Sequence, residues 1–526
     1  MHILTHQSQV MRPLKGRQAG VSMGRSPQQR DERHMATPPI ADSTEPDERT
    51  PSAREGLSRN SIGTAGIVFF VVAAAAPLTV VIALYPLIIG SGNGIGIAGA
   101  FLAVALVLLV FAVGYVAMSR HVTNAGAFYS YVTLGLGRPA GLGAGSLAVF
   151  GYNAIQLGLY GGIGYYSHEL VADWAGMQVP WWIFSFGFML ICLLLGVNRI
   201  HSGARVLGVL LTLETAVVLV LDVAIVLRSP TPLTHFSFQP FAPSTVFAGA
   251  VGVALIFAHA SYIGFEGSAI YGEEARNPKT TVPRATYVAV IFMGVFYAVT
   301  AWLIVNGLGV DNAVAVAQEQ SGSLIFAVSE SVLPGAFTAA IHVLIITSMF
   351  AALLTFHNNV ARYLYSLARE GALPAVLGRT HAQRQSPHVA CAAQTGLVGV
   401  VVAIFAVANL DPYTTLFTWM TGIGAMAIIL LQVVASVAIF VFFRRSDRDK
   451  RIWNTVIAPL LGIAGLLPIL YFALSSVDVL LGTDGWLAIL LVSLVFGSLL
   501  GGVVWALILR RAAPQRYSRL LNDASV

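Results

Sequence analysis

The sequence predicts an all-α membrane protein of about twelve transmembrane helices, on three observations. Hydrophobic residues make up 56% of the 526 residues and charged residues 10%, far below the roughly 25% charged of a soluble domain. Apolar runs of about 17–25 residues, the length that crosses a hydrocarbon core as a helix, recur along the chain about twelve times. The polar loops between them alternate in charge. Basic residues lie in the N-terminal tail, at Arg120, Arg138, Arg199, Arg205, Arg276, Lys279 and Arg284, and in the stretches 362–384, 444–451 and 510–519, all on one side of the expected topology. The other side holds Arg228 together with Glu169, Asp173, Asp311, Glu319, Glu330, Asp411, Asp478 and Asp484. By the positive-inside rule both termini are cytoplasmic, in a multi-pass protein of the cell (inner) membrane. The net charge of +6 is thereby a topology signal, and no nucleic-acid partner is expected.

Taken in order, residues 1–58 are polar, lack the apolar core of a signal peptide and are expected to be a disordered cytoplasmic tail. Met11, Met23 and Met35 offer alternative starts, and translation from Met35 would leave a short polar leader. The first six apolar runs are 62–86, 96–118, 141–166, 181–197, 206–227 and 246–270. Six more follow at 288–308, 337–365, 389–407, 414–443, 456–474 and 486–509. Cys192 and Cys391 fall inside such runs and read as small core residues, so neither a metal site nor a cofactor is expected.

Two of the runs are interrupted. In the first, Pro77 lacks an amide proton and clashes with the carbonyl of Ala73, which predicts a kink or unwinding over residues 74–79. In the sixth, His259, Ser261, Glu266 and two glycines sit where lipid would tolerate none of them, which predicts a break between His259 and Gly267. Interrupted segments at matching places in two halves point to an inverted-repeat transporter with its site near the membrane midplane. The expected organisation is a core over residues 59–445, built of repeats 59–228 and 242–445 with discontinuous helices 1 and 6. Residues 446–526 would add helices 11 and 12 and a cytoplasmic C-terminus.

Three motifs then carry a resemblance. GFEGSAIYGEEARNPKTTVPRA from Gly264 to Ala285, NAGAFYSYV from Asn124 to Val132 and NNVARYLYSLAREGALPAVL from Asn358 to Leu377 resemble segments of the amino acid, polyamine and organocation (APC) permeases. The resemblance implies a ten-helix core of two inverted five-helix repeats, alternating access, and a small substrate, an amino acid or related amine, held at the unwound parts of helices 1 and 6. Broken helices expose amides and carbonyls that can hold a carboxylate and an ammonium. Permeases of this kind often carry a Gly-Ser-Gly in the first break, whereas this chain has Ala76, Pro77, Leu78 and Thr79, with fewer free amides. A polyamine or other amine therefore stays open beside an amino acid.

The candidate substrate-binding residues are Ala74, Ala75, Ala76, Pro77, Leu78 and Thr79 in the first break. The second break adds His259, Ala260, Ser261, Tyr262 and Gly264, and one face of the third helix adds Tyr152, Asn153 and Gln156. Glu214 in the fifth run stands where some members of the resembled family have a lysine. A carboxyl in low dielectric resists ionising, which suits a proton carrier, and a neutral Glu bonded to a neighbouring helix is the alternative. Glu266 is expected either to accept hydrogen bonds from freed amides or to handle a proton. Thr347 and Ser348 offer hydroxyls to a sodium ion, although helical Ser and Thr commonly bond their own backbone. Asp222 reads as interfacial. Glu273, Glu274, Arg276, Lys279, Arg284, Arg362 and Arg369 are candidates for inner ion pairs.

An enzyme is not expected, since no nucleophile, acid pair or phosphate loop of suitable spacing appears. A secondary transporter importing its substrate by proton symport is the expected function. Sodium coupling, exchange, a channel or a nutrient sensor are the alternatives.

Overall fold

The first membrane segment folds in two pieces. The structure is a computed structural model that describes residues 63–122, 127–198, 203–229, 232–270, 275–381, 383–384, 386–446, 448–482 and 485–520. The polar tail at 1–58, with Met35, lies outside these, as do Glu273 and Glu274. Helix α1 (Thr64–Ala75) stops where Ala76 turns left-handed, at φ 46° and ψ 73°. Pro77 then opens α2 (Pro77–Thr79), a position proline tolerates because the first amide of a helix has no partner in any case. The chain continues through a π-helical turn, Val80–Leu84, into α3 (Tyr85–Ser91). The interruption expected over 74–79 is thus a single reversed residue.

Next come α4 (Ile97–Ser119), the short α5 (Ala127–Leu136), α6 (Arg138–Ala175), α7 (Trp181–Asn198) and α8 (Gly203–Arg228). After α9 (Pro243–Val246), the sixth segment is again divided, into α10 (Val251–Ala260) and α11 (Gly267–Ile270). There follow α12 (Pro278–Leu308), α13 (Ala313–Gln320), α14 (Leu324–Val332), α15 (Gly335–Arg369), α16 (His388–Val407) and α17 (Thr418–Arg445). The last are α18 (Ala458–Ser475), α19 (Val477–Leu481), α20 (Trp486–Ala512) and α21 (Pro514–Arg519). The described residues are all-helical, without a β-strand.

Among the described residues, ten helices are long and apolar enough to cross a membrane. The two predicted runs outside that set differ for physical reasons. Helix α6, 38 residues long, is diluted by Gly and Tyr, and the sixth segment is cut short by its break. Helix α12 begins at Pro278, before the apolar run at 288. Asn277 turns the chain at φ 51°, and the polar NPKTTVPRA stretch supplies a helix start with proline at its first position.

Side-chain placement is that of a protein in lipid. Leu190, Leu194, Val223, Leu227, Val407 and Leu500 are exposed, while Tyr85, Tyr115, Tyr152, Tyr262, Tyr297 and Tyr363 are fully buried. Helices approach closely where side chains are small. A Cβ added to Gly252 of α10 would lie 1.9 Å from the carbonyl oxygen of Phe472 on α18, so only glycine lets these two helices meet.

Candidate functional site

The second break is held open by its own hydrogen bonds. Beyond Ala260 the chain runs through consecutive turns, Tyr262 N–H to His259 O at 3.0 Å, Ile263 N–H to Ala260 O at 3.1 Å and Phe265 N–H to Tyr262 O at 3.2 Å. Gly264 takes φ 118°, a conformation open to glycine, and its amide donates to Glu266 Oε2 at 3.0 Å. The other carboxyl oxygen of Glu266 accepts from the Tyr152 hydroxyl at 2.8 Å, and its backbone carbonyl accepts from Tyr115 at 2.7 Å. Glu266 is fully buried and staples the break to α6 and α4.

The two breaks meet. A Cβ on Gly264 would stand 2.7 Å from the Ala74 Cβ, so the reversed turn lies directly against the end of α1. Across the first break, the Thr79 hydroxyl donates to Ser348 Oγ on α15 at 3.1 Å. Glu214, 3% exposed on α8, approaches the same point, within interaction range of the Ser348 hydroxyl and the backbone of Leu78. Its Oε2 has no hydrogen-bond partner among the described residues. The groups within its range are a hydroxyl and an amide, neither of them charged. A carboxyl placed at the opening turn of the helical run that starts at Pro77 also faces the positive end of that helix.

The remaining candidates divide. Ser348 reaches the break, whereas Thr347 donates back to Leu344 O at 2.9 Å. Ser261 likewise bonds Phe257 O at 2.9 Å. The Tyr262 hydroxyl donates to Phe101 O at 2.9 Å, and its ring packs on Phe101 and Tyr297. His259 Nε2 lies 2.9 Å from Gln432 Oε1 on α17, with Nδ1 unpartnered among the described residues. On α6, Asn153 bonds Val149 O at 2.8 Å, while Gln156 bonds Gln394 of α16 and Tyr160. Ala74, Ala75, Ala76, Pro77 and Leu78 are buried and Ala260 is half-buried, so the first break is closed to solvent.

The family model described as amino acid permease matches residues 61–495. This chain belongs to the amino acid permease family. It is 28% identical over 311 residues to the branched-chain amino acid permease BcaP of Lactococcus lactis, a match covering 55% of this chain and 64% of the relative. To the uncharacterized amino acid permease YecA of Bacillus subtilis it is 26% identical over 316 residues, 59% of this chain and 70% of the relative. The lysine-specific permease of Saccharomyces cerevisiae is 34% identical over 188 residues, 33% of this chain and 28% of that protein.

The permease also buries Asp222 and two glutamines that were not among the candidate site residues. Asp222, expected at the interface, is 6% exposed and accepts from Thr300 on α12 at 2.8 Å. Helix α8 runs on to Arg228, which sets Asp222 about 9 Å inside the helix end. An acid within VLVLDVAIVL was the available signal. Gln394 and Gln432 are buried partners of Gln156 and His259, and a lone Gln in an apolar run was their only mark. Tyr129 of α5 donates to Glu370 at the end of α15. Arg451 pairs with Asp449 at 2.6 Å, and its hydrogen bonds hold the Asp449 carboxyl down to about 2.

Proposed function

We propose that this permease is a secondary active transporter that imports an amino acid or related amine together with a proton, by alternating access across the inner, or plasma, membrane. The ten apolar helices, α6 and the broken sixth segment would make twelve spans, with both termini cytoplasmic. Residues 59–228 and 242–445 would be the inverted repeats. The observation that carries the reading is Glu214, a buried carboxyl within interaction range of the Leu78 backbone at the first break.

The last carbonyls of α1, at Ala73 to Ala75, have no helical partner beyond the break and suit an ammonium group. Across the gap, Pro77 donates nothing, so Leu78 and Thr79 are the first amides that can meet a carboxylate. Glu214 lies within interaction range of the Leu78 backbone. Protonation of Glu214 would weaken that contact, since hydrogen bonds to an ionised acceptor are about twice as strong as neutral ones. The amide is then free for the substrate, and both cross together. Loss of the proton on the cytoplasmic side returns Glu214 to Leu78 and expels the substrate. The Ala74–Ala76 and Leu78 surroundings favour an apolar side chain, in keeping with the name of the branched-chain relative.

The test is Glu214→Gln, reconstituted in liposomes. The variant is expected to keep substrate binding, read as a thermal shift, and exchange between labelled and unlabelled substrate, while losing accumulation driven by a pH gradient. Unchanged uphill uptake would overturn the assignment. One observation supports a second reading. Glu214, Ser348 and Thr79 together present oxygens of the kind hard cations take, so a sodium gradient imposed in the same liposomes separates sodium from proton coupling.

A further inference from the structure

We propose that the end of α20 and the docked helix α21 form a binding surface for the headgroups of anionic phospholipids, with Arg511, Arg516 and Arg519 as the residues that take them. The inference stands apart from the proposed coupling of substrate to protons. Helix α21 follows α20 after a break at Ala513. Six residues are too few for a helix to persist alone in water, and α21 is held by the rest of the protein. Arg138, which opens α6, donates from Nε to Leu520 O at 2.8 Å and from Nη2 to Ser518 O at 3.0 Å. A fixed cation thus takes carbonyls at the C-terminal end of α21. The same guanidinium lies 5.4 Å from the centre of the Tyr517 ring. Arg516 Cβ stands 3.6 Å from where a Cβ on Gly371, just beyond α15, would be, and the Trp505 indole of α20 donates to Ala372 O at 2.8 Å.

Docking gives α21 two faces. Tyr517 is half-buried and Leu520, three residues on, is fully buried. Arg516 and Arg519, also three apart and so on one face, are exposed. Helix α20 sets this surface at the height of lipid headgroups. Leu500, Val504, Leu507 and Ile508 are exposed, and their spacing makes one apolar stripe along the helix, a flank suited to acyl chains. Arg511 takes the next place on that stripe, four residues from Leu507 and three from Ile508, and is exposed. The cation therefore stands where the apolar flank ends, with Arg510 beside it. Residues 485–520 contain no Asp or Glu, and Arg510, Arg511, Arg516 and Arg519 form no ion pair among the described residues. Glu370, beside the docked turn, is 8% exposed and accepts from Tyr129. Arginines grouped at the end of a membrane-crossing helix attract anionic lipids, and the planar guanidinium matches a phosphate with two parallel hydrogen bonds.

The experiment places the full-length protein in lipid nanodiscs, which leave both membrane faces open, made of phosphatidylcholine alone or with phosphatidylglycerol. Tryptic cleavage after Arg510, Arg511, Arg516 and Arg519 is followed by mass spectrometry. Phosphatidylglycerol is expected to slow cleavage of the wild type at least about fivefold, the factor supplied by one arginine near an anionic surface. Inorganic phosphate added to the phosphatidylcholine discs is expected to protect nothing, and equal protection by phosphate would overturn the lipid assignment. Arg138→Gln, which releases α21, is expected to abolish the protection by phosphatidylglycerol. Protection that survives in this variant would show a loose basic tail adsorbing to the bilayer and would overturn the docked surface. The triple variant Arg511→Gln, Arg516→Gln, Arg519→Gln alters exposed side chains and serves if Arg138→Gln does not fold. Phosphatidylglycerol is expected to raise the melting temperature of the wild type and not of the triple variant. An equal rise in both, or equal cleavage of the wild type in the two kinds of disc, overturns the proposal.

Discussion

Gly264 is the residue on which the two breaks turn. Its φ of 118° is a conformation L side chains rarely adopt, and a Cβ there would strike Ala74. Gly264→Ala is accordingly expected to cost about 1–3 kcal/mol, seen as a lower melting temperature in detergent, and to abolish uptake. A variant as stable and active as wild type would show that the contact between the breaks is dispensable. At this scale the sequence told more about which residues matter than about what they touch. Glu266 and Glu214 stood out because a carboxyl in an apolar run is costly unless it is used. The side chains of Tyr262, Ser261 and Thr347 looked the same in the sequence, yet the structure turns them to Phe101, Phe257 and Leu344. Rotamers and neighbouring helices decide that choice, and neither is written in spacing along one chain.

Among the elements, both breaks were legible, for different reasons. Pro77 announces itself through the amide it lacks, and the sixth segment through polar residues that lipid excludes. The break at Ala76 is sharper than a proline kink because the residue before Pro77, not the proline itself, takes the left-handed conformation. The start of α12 was not legible, since its first turns are polar and only its later turns face lipid. At the end of α4, His121 packs edge-on against Phe443 at 5.8 Å, and burial, then Arg448, hold its imidazole below the ordinary range. The folded protein thereby binds this proton less readily than the unfolded chain. The stabilising contribution is complete above the unfolded value of about 6.5 and is lost as pH falls below it. His121→Gln should therefore flatten the fall in melting temperature between about pH 7 and pH 5. A fall as steep as in wild type would assign the acid sensitivity elsewhere.

Across the described residues, the interior is mostly apolar and also holds buried polar groups such as Glu266 and Gln432. Large aliphatic side chains such as Leu227 and Val407 stand exposed on the helix flanks, an arrangement a bilayer permits. Composition and run length were enough to reveal an all-helical membrane protein. The count of spans was harder to read, because α6 is diluted by glycine and tyrosine and the sixth segment is divided. Buried pairs such as His259 with Gln432 and Asp222 with Thr300 join helices far apart in the chain, so only the assembled bundle brings them together. The same assembly brings Glu214 of one helix beside the first break of another, and the proposed coupling of proton to substrate rests on that placement. The direct measurement is uptake of labelled leucine by wild-type protein in liposomes with an inward proton gradient and no sodium. The account predicts accumulation above the outside concentration that a protonophore collapses. Equilibration to the outside concentration, indifferent to the gradient, would contradict it.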